Sequence, residues 1–251
     1  MNLLFIGDSI TKGKLGESFV YIIGNHHPEF NITNLGNDGE TCNVIFTRLL
    51  SHLKLNNNYD YIILQGGYND LLLPTFKAKG KLFNFAYSQQ LKKGYQPFAH
   101  FDESYILLKK TVQDIKTLFN GKLILLTVGC IGEDLSSPSN FHRNEFNQAI
   151  RKVASDENLL LADLGHEFEL FLKDKPQSAY CLDSFWAITL FDQLAINTGK
   201  LSSKRNLFLT IDGIHLNKDG ACLFANCILN ELTQLNTSAL TTKVGWEDLK
   251  N

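Results

Sequence analysis

The sequence predicts an α/β fold: a three-layer α-β-α sandwich around a mainly parallel, five-stranded sheet, interrupted by two long inserts. Two observations carry this expectation. Strand-like and helix-like segments alternate along most of the 251 residues, which is the signature of parallel strands joined by crossover helices. Most of the strand segments are continuously apolar rather than alternating, as strands covered on both faces must be.

The elements follow in order. Residues 3–6, Leu-Leu-Phe-Ile, form an apolar run of strand length that stops at Gly7, where the backbone can turn sharply toward a helix. Residues 17–26 suit a helix, and residues 30–35 a second strand broken by Gly36-Asn37-Asp38-Gly39. Val44, Ile45, Leu49, Leu50 and Leu53 recur at helical spacing after Thr41. Residues 59–65 read as a third strand, 104–119 as an amphipathic helix and 123–128 as a fourth strand. A helix over 140–156, a short strand over 159–162 and a closing helix over 219–235 complete one domain of residues 1–235. Residues 236–251 are polar and read as a loosely held tail with Trp246 as its only large anchor.

Composition sets bounds. Hydrophobic content of 44% with 20% charged residues is ordinary for a globular chain. A net charge of -2 gives no global reason to expect nucleic acid. No run approaches the ~20 apolar residues of a membrane span, and the first strand starts too early for a signal peptide, so the sequence reads as cytoplasmic. The five cysteines have no paired spacing, which suggests reduced, mostly buried thiols.

In an open parallel sheet, ligands bind beyond the carboxyl ends of the strands. Ser9, Gly36 and residues 67–69 all follow strand ends and are expected on one rim. The Ser9 turn is neither a P-loop, which would need Gly where Asp8 stands, nor a Gly-x-Ser-x-Gly elbow, since Thr11 occupies the last position. It could present a nucleophile to backbone N–H groups of a helix start, or merely cap that helix. Near the other end, Asp212 lies three residues before His215 in Ile-Asp-Gly-Ile-His-Leu-Asn, on a loop ahead of the last helix. A serine hydroxyl needs a base, and an imidazole oriented by a carboxylate can serve. Taken alone, such a pair is more often a helix-start cap beside a solvated histidine.

Four blocks in order resolve these alternatives. Gly7-Asp8-Ser9, Gly36, Gly67-Tyr68-Asn69-Asp70 and Asp212-Gly213-Ile214-His215 together resemble the GDSL, or SGNH, family of serine esterases and lipases. The resemblance implies a flavodoxin-like hydrolase fold and cleavage of carboxylic esters through an acyl-enzyme on Ser9. It assigns His215 as general base and acid, and Asp212 as the residue that orients it. The Ser9 and Gly36 backbone N–H groups and the Asn69 amide would form the oxyanion hole. It requires no metal or other cofactor. Asp8 is expected to hold the serine loop and not to carry protons.

The inserts, about residues 71–101 and 168–209, leave the substrate open between acyl esters of the lipase type and O-acetyl groups on carbohydrate. Phe76, Phe83, Phe85, Tyr87, Tyr95, Phe98 and Phe101 crowd the first; Phe171, Tyr180, Phe185, Trp186, Phe191 and Phe208 populate the second. The first insert carries Lys77, Lys79, Lys81, Lys92 and Lys93 with no acidic residue between Thr75 and Tyr95. These lysines suit either a solvated lid edge or recognition of an anionic group on a small-molecule ester. Residues 184–194 could serve as a membrane-facing lid, a pocket wall or an oligomer contact. Two rival functions are an acyltransferase of the same family and a binding module that has lost turnover.

Overall fold

The computed structural model describes residues 1–98, 101–182, 197–233 and 249; the expectations placed on residues 184–194 and on Trp246 lie outside them. Five strands, β1 (Asn2–Gly7), β2 (Asn31–Gly36), β3 (Tyr61–Leu64), β4 (Lys122–Leu126) and β5 (Leu160–Ala162), form one sheet in the order β2-β1-β3-β4-β5. Every pairing is parallel. This is the flavodoxin-like order, in which the chain reverses direction across the sheet at β1 and β3. Leu3, Leu4, Phe5 and Ile6 of β1 and Ile62 of β3 are fully buried, so the continuous apolar pattern reflects covering on both faces.

The helices divide between the two faces. α2 (Phe19–His26), α8 (Leu164–Leu172) and α10 (Lys218–Thr233) pack together on one side. Their seam is aromatic: Phe19 meets Phe5 of the sheet at 6.0 Å and Phe224 at 5.2 Å, and Phe224 meets Phe168 edge-on at 5.6 Å. α3 (Cys42–Leu53), α6 (Phe101–Leu118) and α7 (Pro138–Asp156) cover the other side. Local chemistry starts several of these helices. Ser18, Ser137 and Asp163 each accept a backbone N–H of the following turn, and Pro138 supplies the preset first residue of α7.

The inserts are partly helical, which their mixed apolar spacing had hidden. The first contains most of α4 (Tyr68–Phe76) and all of α5 (Lys81–Lys92), separated by a turn at Gly80; the second contains the end of α8 and α9 (Thr198–Lys204). Within the polar tail, Leu249 is buried and its carbonyl accepts from the Cys222 thiol, so this point of the tail is packed.

Truncating Phe19 removes the ring joining sheet, α2 and α10. Phe19→Ala should lower stability by ~3–5 kcal/mol, measured by urea unfolding at constant m-value.

Candidate active site

The site is built where β1, β2 and β3 end. Gly7 pairs with Gly36 across the first two strands, so the segments that follow leave the sheet side by side. Asp8 caps the short helix α1 (Ser9–Lys12): its Oδ1 accepts the Ile10 N–H at 2.9 Å, and its Oδ2 accepts the Gln65 amide at 3.0 Å. Gln65 Oε1 in turn accepts from the Asp8 N–H and the Thr11 hydroxyl. Ser9 is thus held on the first residue of a helix whose orientation is set by a buried carboxylate.

His215 and Asp212 come from a tight turn before α10. His215 Nε2 lies 3.2 Å from Ser9 Oγ, and His215 Nδ1 lies 2.7 Å from Asp212 Oδ2. The other oxygen of Asp212 accepts the backbone N–H groups of Ile214 and His215 at 2.9 and 2.8 Å. Asp212 has no exposed surface and His215 is 9% exposed. Burial opposes ionisation of Asp212, but the His215 charge and these hydrogen bonds outweigh it, and its pKa falls below the ordinary value. Burial likewise opposes the His215 cation, yet the charge and hydrogen bond of Asp212 raise its pKa above 6.5. An ionised Asp212 can only accept, so it draws the Nδ1 proton and leaves Nε2 facing Ser9 as a lone pair.

Asn69 occupies the first turn of α4. Its Nδ2 donates to the Glu40 carbonyl at 3.0 Å, which fixes the amide and leaves its second N–H for the cavity. Ser9, Asn69 and His215 line a cavity of about 420 Å³ with Gly39, Asp38, Lys14 and Gln90, walled by Tyr68, Leu72, Phe76, Phe83, Leu182 and Ile214.

Gly36 does not fit the position expected of it. Its N–H donates to Asn34 Oδ1 at 2.8 Å, and a Cβ there would overlap the Lys12 backbone nitrogen. Its lack of a side chain therefore serves packing of α1 on β2. Gly39, at φ +75°, lines the cavity instead, and its N–H has no partner among the described residues. The lysines of the first insert are not among the residues lining this cavity. Lys77 lies over the Tyr87 ring at 4.8 Å, Lys79 donates to the carbonyls of Cys181 and Leu182, and the lysine that lines the cavity is Lys14.

Several supporting residues gave no sequence signal. Arg48 of α3 donates to the carbonyls of Leu35 and Gly7 and, through Nε and Nη2, to Oε2 of Glu40, tying the ends of β1 and β2 to the Gly39 loop. Glu133, buried, accepts the N–H groups of Phe208, Leu209 and Thr210 and the Thr210 hydroxyl, anchoring the stretch that leads to Asp212. Glu133 itself is placed by α7, whose Asn140, Arg143 and Asn147 bind the backbone of residues 128–134. Asp70, quoted in the third block, accepts the N–H groups of Cys42 and Phe98. Among the described residues no three His, Cys, Asp or Glu side chains cluster as a metal site, and no helix is long and apolar enough to cross a membrane.

Comparison with known proteins places this geometry. The model of the GDSL-like lipase/acylhydrolase family matches residues 5–221. A comparison with curated proteins finds no match. Among solved structures, an alpha/beta hydrolase enzyme from the metagenome of Lake Arreo, Spain, superposes with a TM-score of 0.65 at 21% identity, covering 94% of this chain and 96% of that one. An acetylxylan esterase from Geobacillus stearothermophilus gives 0.60 at 21% identity, covering 92% and 93%. The acetyl xylan esterase AlAXEase gives 0.62 at 20%, covering 92% and 98%. At these identities the likeness is one of fold.

Burial raises the pKa of Asp70 to about 6. Its folded form therefore holds a proton that the unfolded chain releases near 3.8, and the stability this contributes is present below pH 4 and lost as pH rises through about 6. The stability advantage of the native protein over Asp70→Asn should shrink by about 2 kcal/mol between pH 4 and pH 8 in urea titrations; an advantage constant with pH would exclude the shift.

Proposed function

Because the chain belongs to the GDSL-like lipase/acylhydrolase family, we propose that Ser9 is its nucleophile, His215 its general base and acid, and Asp212 the carboxylate that orients His215. The chain is a carboxylic ester hydrolase. The observation that carries the assignment is the continuous path from Ser9 Oγ to His215 Nε2 at 3.2 Å and from His215 Nδ1 to Asp212 Oδ2 at 2.7 Å.

In this mechanism Ser9 Oγ attacks the ester carbonyl carbon while its proton passes to His215 Nε2. The resulting imidazolium is stabilised by Asp212, which stays ionised. The tetrahedral intermediate collapses by breaking the C–O bond to the alcohol, and His215 returns the proton to that leaving oxygen. Water then delivers a proton to His215 and attacks the acyl-enzyme, and a second collapse frees the acid and restores Ser9. The oxyanion would be met by the Ser9 N–H, the Gly39 N–H and the free N–H of Asn69, with Gly39 taking the part first expected of Gly36. Gly39 suits it because it lines the cavity and its N–H has no protein partner among the described residues, whereas that of Gly36 is engaged.

The reaction belongs to a single hydrolase domain of residues 1–235. The apolar wall of Leu72, Phe76, Phe83, Leu182 and Ile214 favours an acyl ester. An O-acetyl carbohydrate is the second reading. Gln90 lines the cavity and its Oε1 has no hydrogen-bond partner among the described residues, so a hydroxyl-bearing alcohol could supply a donor. Two of the similar solved structures are acetylxylan esterases.

With p-nitrophenyl esters from acetate to long acyl chains, Ser9→Ala should lose about 10⁶-fold in kcat. Full activity in that variant would remove the assignment. Asn69→Ala should cost about 100- to 1,000-fold in kcat with the fold intact. His215 must be neutral to accept a proton, so the acid limb of kcat/KM should lie above pH 6.5, in keeping with its raised pKa. Asp212→Asn should lower kcat by about 10⁴-fold and move that limb to lower pH, because the largest influences that raise the His215 pKa would be gone while burial still lowers it.

A further inference from the structure

Helix α5 roofs the cavity with one face and presents an unusual combination on the other. At about 100° per residue, Phe83 and Gln90 share one side of the helix, and both line the cavity. Lys81, Leu82, Phe85 and Lys92 fall within an arc of about 100° on the opposite side. Leu82 is 44% exposed and Phe85 63% exposed, and both lysines are exposed. Lys93, at the C-terminal end of α5, is exposed as well, and none of these three lysines has a carboxylate partner among the described residues. The stretch from Thr75 to Tyr95 holds no acidic residue, in a chain whose net charge is -2. This is a local cationic rim around two protruding apolar side chains.

We propose that this outer face of α5 docks on an anionic lipid surface, bringing the mouth of the cavity to the interface. Leu82 and Phe85 would enter the boundary between headgroups and acyl chains, while Lys81, Lys92 and Lys93 meet the lipid phosphates. Two apolar side chains are too small a patch for the roughly 800 Å² per partner of a stable protein interface. They suit shallow insertion assisted by charge, because lysine stems lie along an apolar boundary while their heads stay at the phosphates. The inference extends the ester-hydrolase reading and does not need it for its first readout, since binding is measured without turnover.

The test is co-sedimentation of the full chain with vesicles of phosphatidylcholine containing one quarter phosphatidylglycerol, against vesicles of phosphatidylcholine alone. The anionic vesicles should bind the protein, the neutral ones should bind it at least tenfold more weakly, and 0.5 M NaCl should release it. Each lysine near such a surface contributes about fivefold to partitioning. The double variant Lys81→Ser with Lys92→Ser should therefore bind about 25-fold more weakly, and Leu82→Ser with Phe85→Ser should also lose binding. Both double variants should hydrolyse soluble p-nitrophenyl acetate as the native protein does, which reports that they are folded; loss of that activity in Ser9→Ala with vesicle binding intact separates docking from chemistry. Equal binding to both vesicle types, no binding to either, or binding indifferent to these substitutions would overturn the proposal. So would retention on immobilised polyglutamate that depends on the lysines but not on Leu82 and Phe85, which would assign the face to an acidic protein.

Discussion

A carboxylate with no exposure to water is tolerated only when its lone pairs are taken, and Asp212 meets that condition through contacts that also orient the site. One oxygen accepts two N–H groups of its own turn; the other accepts the imidazole of His215. Leaving such a charge unpaired costs several kcal/mol, so the turn and the ring orientation are held together. The turn is also fastened from outside, with the N–H groups of Leu182 and Gly132 donating to its Asp212 and Gly213 carbonyls.

The same device recurs around the rim. Asp8 caps the serine helix, Asp70 holds the starts of α3 and the segment ahead of α6, Glu40 pairs with Arg48, and Glu133 gathers three successive N–H groups before Asp212. Loops have no ladder to satisfy their backbone, and a buried side-chain carboxylate substitutes for one. Apolar packing of the sheet and its helix layers supplies stability, whereas these polar clamps set position. Burial raises the pKa of Asp8, Asp70 and Glu133, the cost of using charges for that purpose.

The two functions of α5 follow from its place over the cavity. A helix with one face against a reactive site and the other in solvent can couple what the molecule rests on to what reaches the nucleophile. Its inner face contributes Phe83, which meets Phe76 edge-on at 5.1 Å and completes the apolar wall. Its outer face carries charge of one sign, so the two faces are readable as separate surfaces of one element.

The sequence by itself determined the strands and the main crossover helices, because short apolar runs and turn residues act locally, while Ser9, Asn69, Asp212 and His215 stood out through the four blocks that resemble the family. It also placed three of the family blocks at strand ends. Only the tertiary structure showed that the Gly36 N–H is engaged by Asn34 and that Gly39 lines the cavity, since this depends on where the Lys12 backbone passes and where Asn34 reaches. The helices within the inserts were hidden by aromatic residues whose spacing answers to the cavity as well as to the core. Arg48, Gln65 and Glu133 were silent for a further reason: each bonds to segments far away in the chain, up to 77 residues for Glu133, and no local pattern records a partner that only folding brings near.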